Sequence, residues 1–252
     1  MKKKPANNTK TNHISVQPVL LLLETSTSIC SVSLARGTDI LASRQSSEPK
    51  AHASLLAVFV DQILKEQRIT LRDCHAVAVS GGPGSYTGLR VGVSTAKGLC
   101  FGSSVPLIEV GSLDLIAQLT IDRDLLEKPF RIYPMIDARR MEVYTAPYSI
   151  TETKDMGKLA HRDGPVEALA VTAESFRDTL DAGLVLFSGD GALKCRDVIV
   201  HPNARFIPVA SHAEGMAKAA LKAFREQKFE DVAYYTPFYL KEFRAIRPKT
   251  GF

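Results

Sequence analysis

A glycine-rich turn between an apolar strand and a long helix constrains the fold of this 252-residue chain more than any other feature. Residues 76–79 are apolar and predict a buried strand, and residues 87–101 predict a helix. The connection at 80–88 reads SGGPGSYTG and combines permissive backbone angles with a helix N-terminus. This combination suits a phosphate or another anion. The helix entry lacks the Gly-Lys-Ser/Thr of a P-loop, and the glycine spacing also differs from a dinucleotide-binding fingerprint.

The charge of the chain is concentrated at its two ends. The net charge is +5, of which residues 1–17 carry +4 and residues 240–252 carry +3, so the body is close to neutral. This distribution argues against a broad nucleic-acid-binding face, although basic ends can still contact RNA. We expect residues 1–17 to form a disordered basic tail.

Cysteine usage and hydropathy indicate a cytoplasmic protein. The four cysteines lack the close spacing of a zinc site or a disulfide framework, so we expect reduced thiols in a core. No apolar run reaches the length of a transmembrane helix, and no membrane association is expected.

Alternating hydrophobic patterns predict a mixed α/β fold with two related halves. In the N-terminal half, residues 18–127, three strands precede the order helix, strand, helix, strand, helix. In the smaller C-terminal half, residues 128–252, a shortened form of this order recurs. Its predicted elements are strands at 131–136, 142–148 and 184–188 and helices at 171–180 and 211–227. Residues 150–170 predict a loop or irregular insert, and the pattern does not indicate what it does.

Polar side chains follow the first predicted strand, residues 19–23. They are Glu24, Thr25, Ser26 and Thr27. In open α/β sheets, ligands bind at the carboxyl ends of strands, so this segment and the glycine turn could face one cleft. An acid with hydroxyl groups can hold the water molecules of a divalent cation while glycine N–H groups hold phosphate. Alternatively, the hydroxyl groups end the strand through hydrogen bonds to the backbone, and Glu24 is solvated.

Four motifs in order resemble the bacterial TsaB (YeaZ-like) family of tRNA threonylcarbamoyladenosine-biosynthesis proteins, a paralogue of the TsaD/glycoprotease family. They are LLETST at 22–27 with CSVSL at 30–34, GPGSYTGLRVG at 82–92 with AKGL at 96–99, IDARRMEVY at 136–144, and PFYL at 237–240. The resemblance covers about residues 19–245. It implies an actin/sugar-kinase/Hsp70-like (ASKHA) fold and a role in forming the threonylcarbamoyl group on adenosine 37 of tRNA.

Two departures from related sequences favour a subunit without catalytic residues. Glu24 stands where many relatives have Asp, which weakens the argument for an intact metal–phosphate site. Residues 112–116 match the segment in which TsaD carries a metal-binding His-x-x-x-His, and neither histidine is present. Peptidase activity is not expected, because no nucleophile–base pair is recognisable. We expect no metal and no cofactor on the isolated chain, with ATP or ADP in the assembly as an open alternative.

The resemblance implies a scaffold that binds and activates the catalytic subunit TsaD. TsaE and tRNA would join this assembly, and the chain would form a homodimer when alone. The alternative function is an ATP-dependent small-molecule kinase of the same fold. Magnesium-dependent ATP binding that Glu24→Ala removes would favour the kinase.

Two helices are predicted to supply the partner interface. On helix 87–101, small side chains recur at every fourth position, and interior glycines are costly unless another backbone approaches closely. On helix 51–66, apolar residues lie on two sides, so a second covering surface is needed. The predicted interface residues are His52, Leu55, Leu56, Phe59, Ile63, Gly88, Leu89, Gly92, Val93, Ala96 and Cys100. We expect Gly92→Leu or Phe59→Asp to break association without unfolding the chain. Alternatively, the small-residue face packs on the chain's own sheet.

A vestigial nucleotide or phosphate site is predicted from the two strand ends and from a third turn at 188–191. Its residues are Glu24, Ser26, Thr27, Gly82, Gly84, Ser85, Gly189, Asp190 and Gly191. A plain strand-to-helix turn explains 188–191 equally well. The basic C-terminal end, with Lys241, Arg244, Arg247 and Lys249, either steers tRNA phosphates or forms a solvated tail.

Overall fold

The computed structural model describes residues 17–48, 52–123 and 130–241, which form two mixed β-sheets with helices packed on them. The predicted disordered tail lies outside the described residues except for Gln17. The basic C-terminal end lies outside them beyond Lys241. The structure therefore tests neither of these two predictions.

The first sheet contains five strands. They are β1 Val19–Glu24, β2 Cys30–Arg36, β3 Asp39–Ser46, β4 Ala76–Ser80 and β5 Leu107–Val110. The strand order is β3-β2-β1-β4-β5, with β1 antiparallel to β2 and parallel to β4. Because β1 is central and covered on both faces, it reads as an uninterrupted apolar run. Leu21 and Leu23 enter one core, and Leu20 and Leu22 enter the other.

Five α-helices are described, two on one face of the first sheet and two on the other, with the fourth in the second half. They are α1 His52–Glu66, α2 Tyr86–Ser103, α3 Ser112–Ile121, α4 Arg177–Ala182 and α5 Ala217–Arg225. Residues of α1 and α2 share a core with Leu21, whereas residues of α3 and α5 share a core with Leu20. None of the described helices is long and apolar enough to cross a membrane.

The second sheet repeats the order of the first. Its strands are β6 Arg131–Asp137, β7 Glu142–Thr145, β8 Tyr148–Thr153, β9 Gly157–Arg162, β10 Glu167–Ala170, β11 Val185–Ser188 and β12 Ala204–Ile207. The order β10-β7-β6-β11-β12 has its central strand antiparallel to β7 and parallel to β11, as β1 is to β2 and β4. This match confirms the predicted fold class of two related α/β halves with mixed sheets.

Three predicted elements of the second half were wrong. The segment 150–170 is not irregular, because β8 and β9 pair from Tyr148↔Arg162 to Thr153↔Gly157 and β10 pairs with β7. Apart from the buried Tyr148, these strands are partly or fully exposed and contribute few apolar residues, such as Ile150 and Ala160, to the core, so their hydrophobic pattern is weak. The predicted strand 142–148 is two strands, because Pro147 lies between β7 and β8. The helix predicted at 171–180 is reduced to α4.

The end of the described chain returns to the first sheet. A short 3-10 helix, Ala213–Met216, leads into α5, and the Ala213 amide donates to Ser31 Oγ of β2 at 2.9 Å. The Glu230 amide donates to the Leu107 carbonyl of edge strand β5 at 2.9 Å. The division of the chain into halves between residues 127 and 128 stays a prediction. That division did not foresee that residues after 210 contact the first sheet.

Candidate functional site

The structure brings together the ends of β1 and β4, which sequence analysis predicted to face one cleft. The two strands are parallel neighbours, so both carboxyl ends lie at the same edge of the sheet. The Thr25 amide donates to Ser80 Oγ at 3.3 Å, and the Ser85 amide donates to the Ser26 carbonyl at 2.7 Å. These hydrogen bonds fasten the segment after β1 to the glycine turn after β4.

Glu24 is fully buried at this junction rather than solvated. Its Oε1 accepts hydrogen bonds from the Ser26 amide at 2.6 Å and the Ser26 hydroxyl at 2.5 Å. Its Oε2 has no hydrogen-bond partner among the described residues. Burial raises the pKa of Glu24, while the hydrogen bonds from Ser26 and the nearby hydroxyl groups of Ser80 and Ser211 oppose that rise. The carboxyl group is therefore biased toward its neutral form, which can donate a proton in a hydrogen bond.

Two further buried serines, Ser80 and Ser211, lie near Glu24, and neither was among the predicted site residues. Ser80, Ser112 and Ser211 are buried, and Ser112 Oγ and Ser211 Oγ have no hydrogen-bond partner within the described part of the chain. Ser80 could have been found, because it lies on β4 two residues from core residue Ala78 and so points to the same face. Ser211 comes from a distant segment, and no local pattern marks it.

The glycines of the turn make room for the chain itself. A Cβ at Gly84 would lie 2.3 Å from the Ser26 carbonyl oxygen, and one at Gly82 would lie 2.4 Å from the Phe238 carbonyl oxygen. Gly82 also has a φ of +114°, a backbone angle that residues with a side chain rarely adopt. The space over this turn is thus occupied by the segment after β1 and by the C-terminal segment. This close backbone packing is sufficient to explain glycine at both positions without a bound phosphate.

Most of the predicted interface residues face the interior of the chain rather than its surface. The buried ones are Leu56, Ile63, Gly88, Leu89, Gly92, Val93, Ala96 and Cys100. A Cβ at Gly88 would lie 2.1 Å from the Thr25 carbonyl oxygen, and one at Gly92 would lie 2.2 Å from Thr25 Oγ1. The row of small side chains lets α2 approach the end of β1. The alternative, packing on the chain's own sheet, is the one observed.

The outer surface of α1 and α2 is formed by other residues. Phe101 is 84% exposed and Val58 is 43% exposed. A Cβ at Gly98 or at Gly102 would meet no heavy atom within 4 Å among the described residues. The predicted residues Leu55 and Phe59 are half-buried. Phe101 and Gly102 follow Gly98 by three and four positions, so both are its neighbours on the face of α2 that the sheet does not cover.

His52 has a local role at the start of α1. Its Nε2 lies 3.0 Å from the Thr27 carbonyl oxygen, which can only accept, so the ring donates the hydrogen bond. This contact ties α1 to the loop between β1 and β2. The predicted site residue Thr27 is itself buried, and its hydroxyl accepts from the Ile29 amide at 3.3 Å.

The third predicted turn, Gly189 to Gly191, packs on the second sheet. A Cβ at Gly189 would lie 2.3 Å from the Met135 carbonyl oxygen, and one at Gly191 would lie 2.8 Å from the Ile136 carbonyl carbon. Asp190 Oδ1 accepts a hydrogen bond from the Asp137 amide at 3.0 Å. These contacts with the end of β6 account for both glycines as close-packing residues.

Titratable groups suited to metal binding are scattered. In the described ranges, no three His, Cys, Asp or Glu side chains are grouped so that they could hold a metal ion. Burial raises the pKa of the Cys30 and Cys74 thiols to about 11 and that of Cys100 to about 12. All four cysteines are free and buried. These thiols are therefore protonated and poorly nucleophilic at neutral pH.

A family model described as "TsaD: tRNA N6-adenosine threonylcarbamoyltransferase" matches residues 40–246. The tRNA threonylcarbamoyladenosine biosynthesis protein TsaB of Haemophilus influenzae is 35% identical over 125 residues, which are 50% of this chain and 51% of that protein. The protein of the same name from Escherichia coli is 35% identical over 133 residues, 53% of this chain and 56% of that protein. The chain thus spans about half the length of the curated relatives it matches.

The solved structure of YeaZ from Pseudomonas aeruginosa matches over a longer range. It superposes with a TM-score of 0.75 at 27% identity and covers 88% of this chain and 100% of that chain. These matches confirm the resemblance to the TsaB family that the four motifs indicated.

Proposed function

The chain belongs to the family described as TsaD, tRNA N6-adenosine threonylcarbamoyltransferase, and we propose that it acts in the biosynthesis of threonylcarbamoyladenosine in tRNA. The family match over residues 40–246 is the observation that carries this proposal, and the TsaB relatives in two bacteria support it. Because tRNA is the substrate of this pathway, the proposed site of action is the cytoplasm.

Within this pathway the chain is a scaffold or activator subunit rather than the catalyst. Contacts at the glycine turn support this role, because the Ser26 and Phe238 carbonyl oxygens take the space that a phosphate would need beside Gly84 and Gly82. The buried, protonated thiols support it as well. The residues around Glu24 are a remnant of a nucleotide site, and ATP or ADP binds in the assembly rather than to the isolated chain.

The main partner is a TsaD-type subunit, which binds the outer surface of α1 and α2. Phe101 offers a large exposed aromatic side chain, and Gly98 offers open space beside it into which a partner helix can pack. Half-buried Leu55 and Phe59 extend the apolar area onto α1. A second copy of the chain covers the same surface when the partner is absent, and a TsaE-type ATPase and tRNA join the assembly.

Light scattering on the chain, alone and mixed with the TsaD homologue of the same organism, tests the proposal. We expect a dimer that exchanges into a 1:1 complex. Phe101→Asp should abolish both species, while Val200→Asp should abolish neither, because Val200 is 78% exposed but lies in the second half. A chain that stays monomeric and ignores the TsaD homologue would contradict the scaffold role.

The pathway itself has a separate readout. Cells depleted of this chain should lose threonylcarbamoyladenosine from tRNA, as measured by mass spectrometry of digested tRNA. Wild-type chain should restore the nucleoside, Val200→Asp should restore it equally, and Phe101→Asp should not. Unchanged nucleoside content after depletion would refute the pathway.

A further inference from the structure

The hairpin turn between β6 and β7 carries two consecutive arginines in an unusual backbone conformation. Arg139 has a φ of 69° and Arg140 a φ of 51°, both in the left-handed region. Glycine or asparagine normally occupies such positions, because larger side chains are strained there. This backbone conformation sets the direction in which each arginine side chain leaves the turn.

Lys194 braces this turn from the side of the second sheet. Its ammonium group donates to the Arg140 carbonyl at 2.9 Å and the Glu142 carbonyl at 2.7 Å, and it forms an ion pair with Asp137. Asp137 Oδ1 also accepts from the Arg139 amide at 2.8 Å. The bracing uses the backbone of the turn, so the two arginine side chains remain directed outward.

Both arginines are exposed, and neither forms an ion pair within the described residues. The acids nearest to them along the turn are already engaged. Asp137 pairs with Lys194, and Glu142 pairs with Lys241. The two guanidinium groups are therefore the uncompensated charges of this surface.

The basic C-terminal end begins at the same place. Lys241 pairs with Glu142, and its ammonium group lies 5.7 Å from the ring centroid of Tyr144 on β7. Burial raises the pKa of the Tyr144 hydroxyl, the charges of Lys241 and Arg139 oppose that rise, and the charge of Glu142 adds to it. The sequence after Lys241 adds the cations Arg244, Arg247 and Lys249 and the single acid Glu242. The arginine turn and Lys241, the first residue of the basic C-terminal end, thus lie beside one aromatic ring.

We propose that Arg139, Arg140 and Lys241 form a contact surface for the phosphodiester backbone of RNA. This inference rests on the proposed function, which supplies tRNA as the RNA. Guanidinium groups bind phosphate oxygens with two hydrogen bonds each, and the half-exposed ring of Tyr144 can contact a nucleobase or a ribose. Contacts of this kind to phosphate oxygens position RNA and carry no sequence information.

To test this surface, the binding of an unmodified tRNA transcript to the full chain is measured by fluorescence anisotropy at several salt concentrations. The variant is Arg139→Asn with Arg140→Asn, since asparagine tolerates the left-handed conformation and keeps the turn. The matched control is Arg68→Asn with Arg72→Asn. Arg68 is also exposed and left-handed, with a φ of 55°, but it follows α1. A third variant is Lys241→Gln.

We expect the turn variant to bind RNA about tenfold more weakly. The slope of its log affinity against log salt concentration should be less steep by about 1.5, because two phosphate contacts are lost. Lys241→Gln should give a smaller loss, and the control should match wild type. Equal affinity for turn variant and wild type would overturn the proposal. An equal loss of RNA affinity in the control variant would also overturn it. Displacement of the RNA by polyglutamate at equal charge would overturn it too, because it would indicate an acidic protein partner.

The dimer mass and the mass with the TsaD homologue are measured on the same variants. A turn variant that loses RNA but keeps both complexes supports the RNA surface alone. A wild-type chain that binds RNA through the arginines but forms no complex would refute the proposed scaffold role and leave the RNA surface standing.

Discussion

The hydroxyl group of Thr25 donates a 2.8 Å hydrogen bond to the carbonyl oxygen of Gly88, across 63 positions of the chain. The same hydroxyl oxygen would lie 2.2 Å from a Cβ at Gly92. One side chain at the end of β1 therefore rests against two glycines of α2. This contact explains why α2 carries glycine at these positions, and it changes the interpretation of the small-residue face from a partner surface to an internal joint.

Gly92→Ala should destabilise the chain, and Gly98→Ala should stabilise it. Both replacements gain about 1 kcal/mol of helix propensity. At Gly92 the added methyl group meets Thr25 Oγ1, and overpacking of this kind costs about 1–3 kcal/mol. At Gly98 nothing lies within 4 Å of the new Cβ in the described structure. Urea unfolding of the two variants and wild type measures the difference.

The contact with Thr25 also changes the expected effect of Gly92→Leu. A leucine there should unfold or strongly destabilise the chain instead of breaking association in an intact fold. If Gly92→Leu kept the wild-type urea midpoint and lost only its ability to form a dimer, the close packing of Thr25 against α2 would be contradicted.

The sequence predicted the first sheet well because β1 and β4 are buried on both faces and read as continuous apolar runs, while β2 and β3 alternate on either side of a polar turn. It failed for β8 to β10, where half-exposed strands leave little hydrophobic contrast. Periodicity located the small-residue face of α2 but could not tell which surface it meets, since Thr25 reaches it through tertiary structure. Glu24 was identified from its place after β1, whereas Ser211 comes from a segment that folds back from the second half.

Glu24→Gln should preserve stability, and Glu24→Ala should reduce it. The amide oxygen of glutamine can still accept from Ser26, and its NH2 group can donate to Ser211 or Ser80. Alanine leaves the buried Ser26 amide and hydroxyl without their acceptor, which costs about 2–3 kcal/mol. Urea unfolding at pH 8 distinguishes the two variants. Glu66→Ala, at an exposed ion pair with Arg44, serves as the control. An equal loss in the glutamine variant would mean that the site requires the carboxylate charge.

Glu109 should make stability fall as pH rises from about 4.5 to about 7. Burial, and then the negative charges of Asp114 and Glu230, raise its pKa from 4.5 to about 7, with Arg162 opposing. The folded chain thus holds a proton that the unfolded chain has released in this window, so the stabilisation present below pH 4.5 is lost by pH 7. Glu109→Gln should flatten this part of the stability curve and gain at most about 3 kcal/mol at pH 8.

Thermal and urea unfolding between pH 4 and pH 8 measure the Glu109 effect as the difference between variant and wild type. Glu152→Gln replaces an exposed acid on β8 and should leave the curve unchanged. Parallel curves for Glu109→Gln and wild type would show that Glu109 titrates at its ordinary pKa in the folded chain.

Lys97→Met should loosen the C-terminal segment over the glycine turn. The Lys97 ammonium group donates to the Ala233 carbonyl at 3.0 Å and the Tyr235 carbonyl at 3.1 Å, and the segment then donates from the Phe238 amide to Gly81 at 2.7 Å. Methionine keeps the aliphatic stem but removes both charge-assisted hydrogen bonds, each of which contributes about 1.5–3 kcal/mol. Amide hydrogen exchange at Phe238 should then accelerate by about tenfold or more, because this segment opens locally.

The matched control is Lys65→Met, which removes an exposed ion pair with Asp61 on α1. It should leave exchange at Phe238 unchanged. Because the Phe238 carbonyl oxygen fills the space beside Gly82, loosening the segment also uncovers the turn. ATP binding that appears in Lys97→Met and not in Lys65→Met would show that the chain's own C-terminal segment keeps nucleotide out of the glycine turn. Unchanged exchange in both variants would mean that Lys97 does not hold the segment. The Phe238 amide and the contact between the tilted rings of Tyr239 and Tyr86, whose centroids are 4.7 Å apart, would then suffice to hold it.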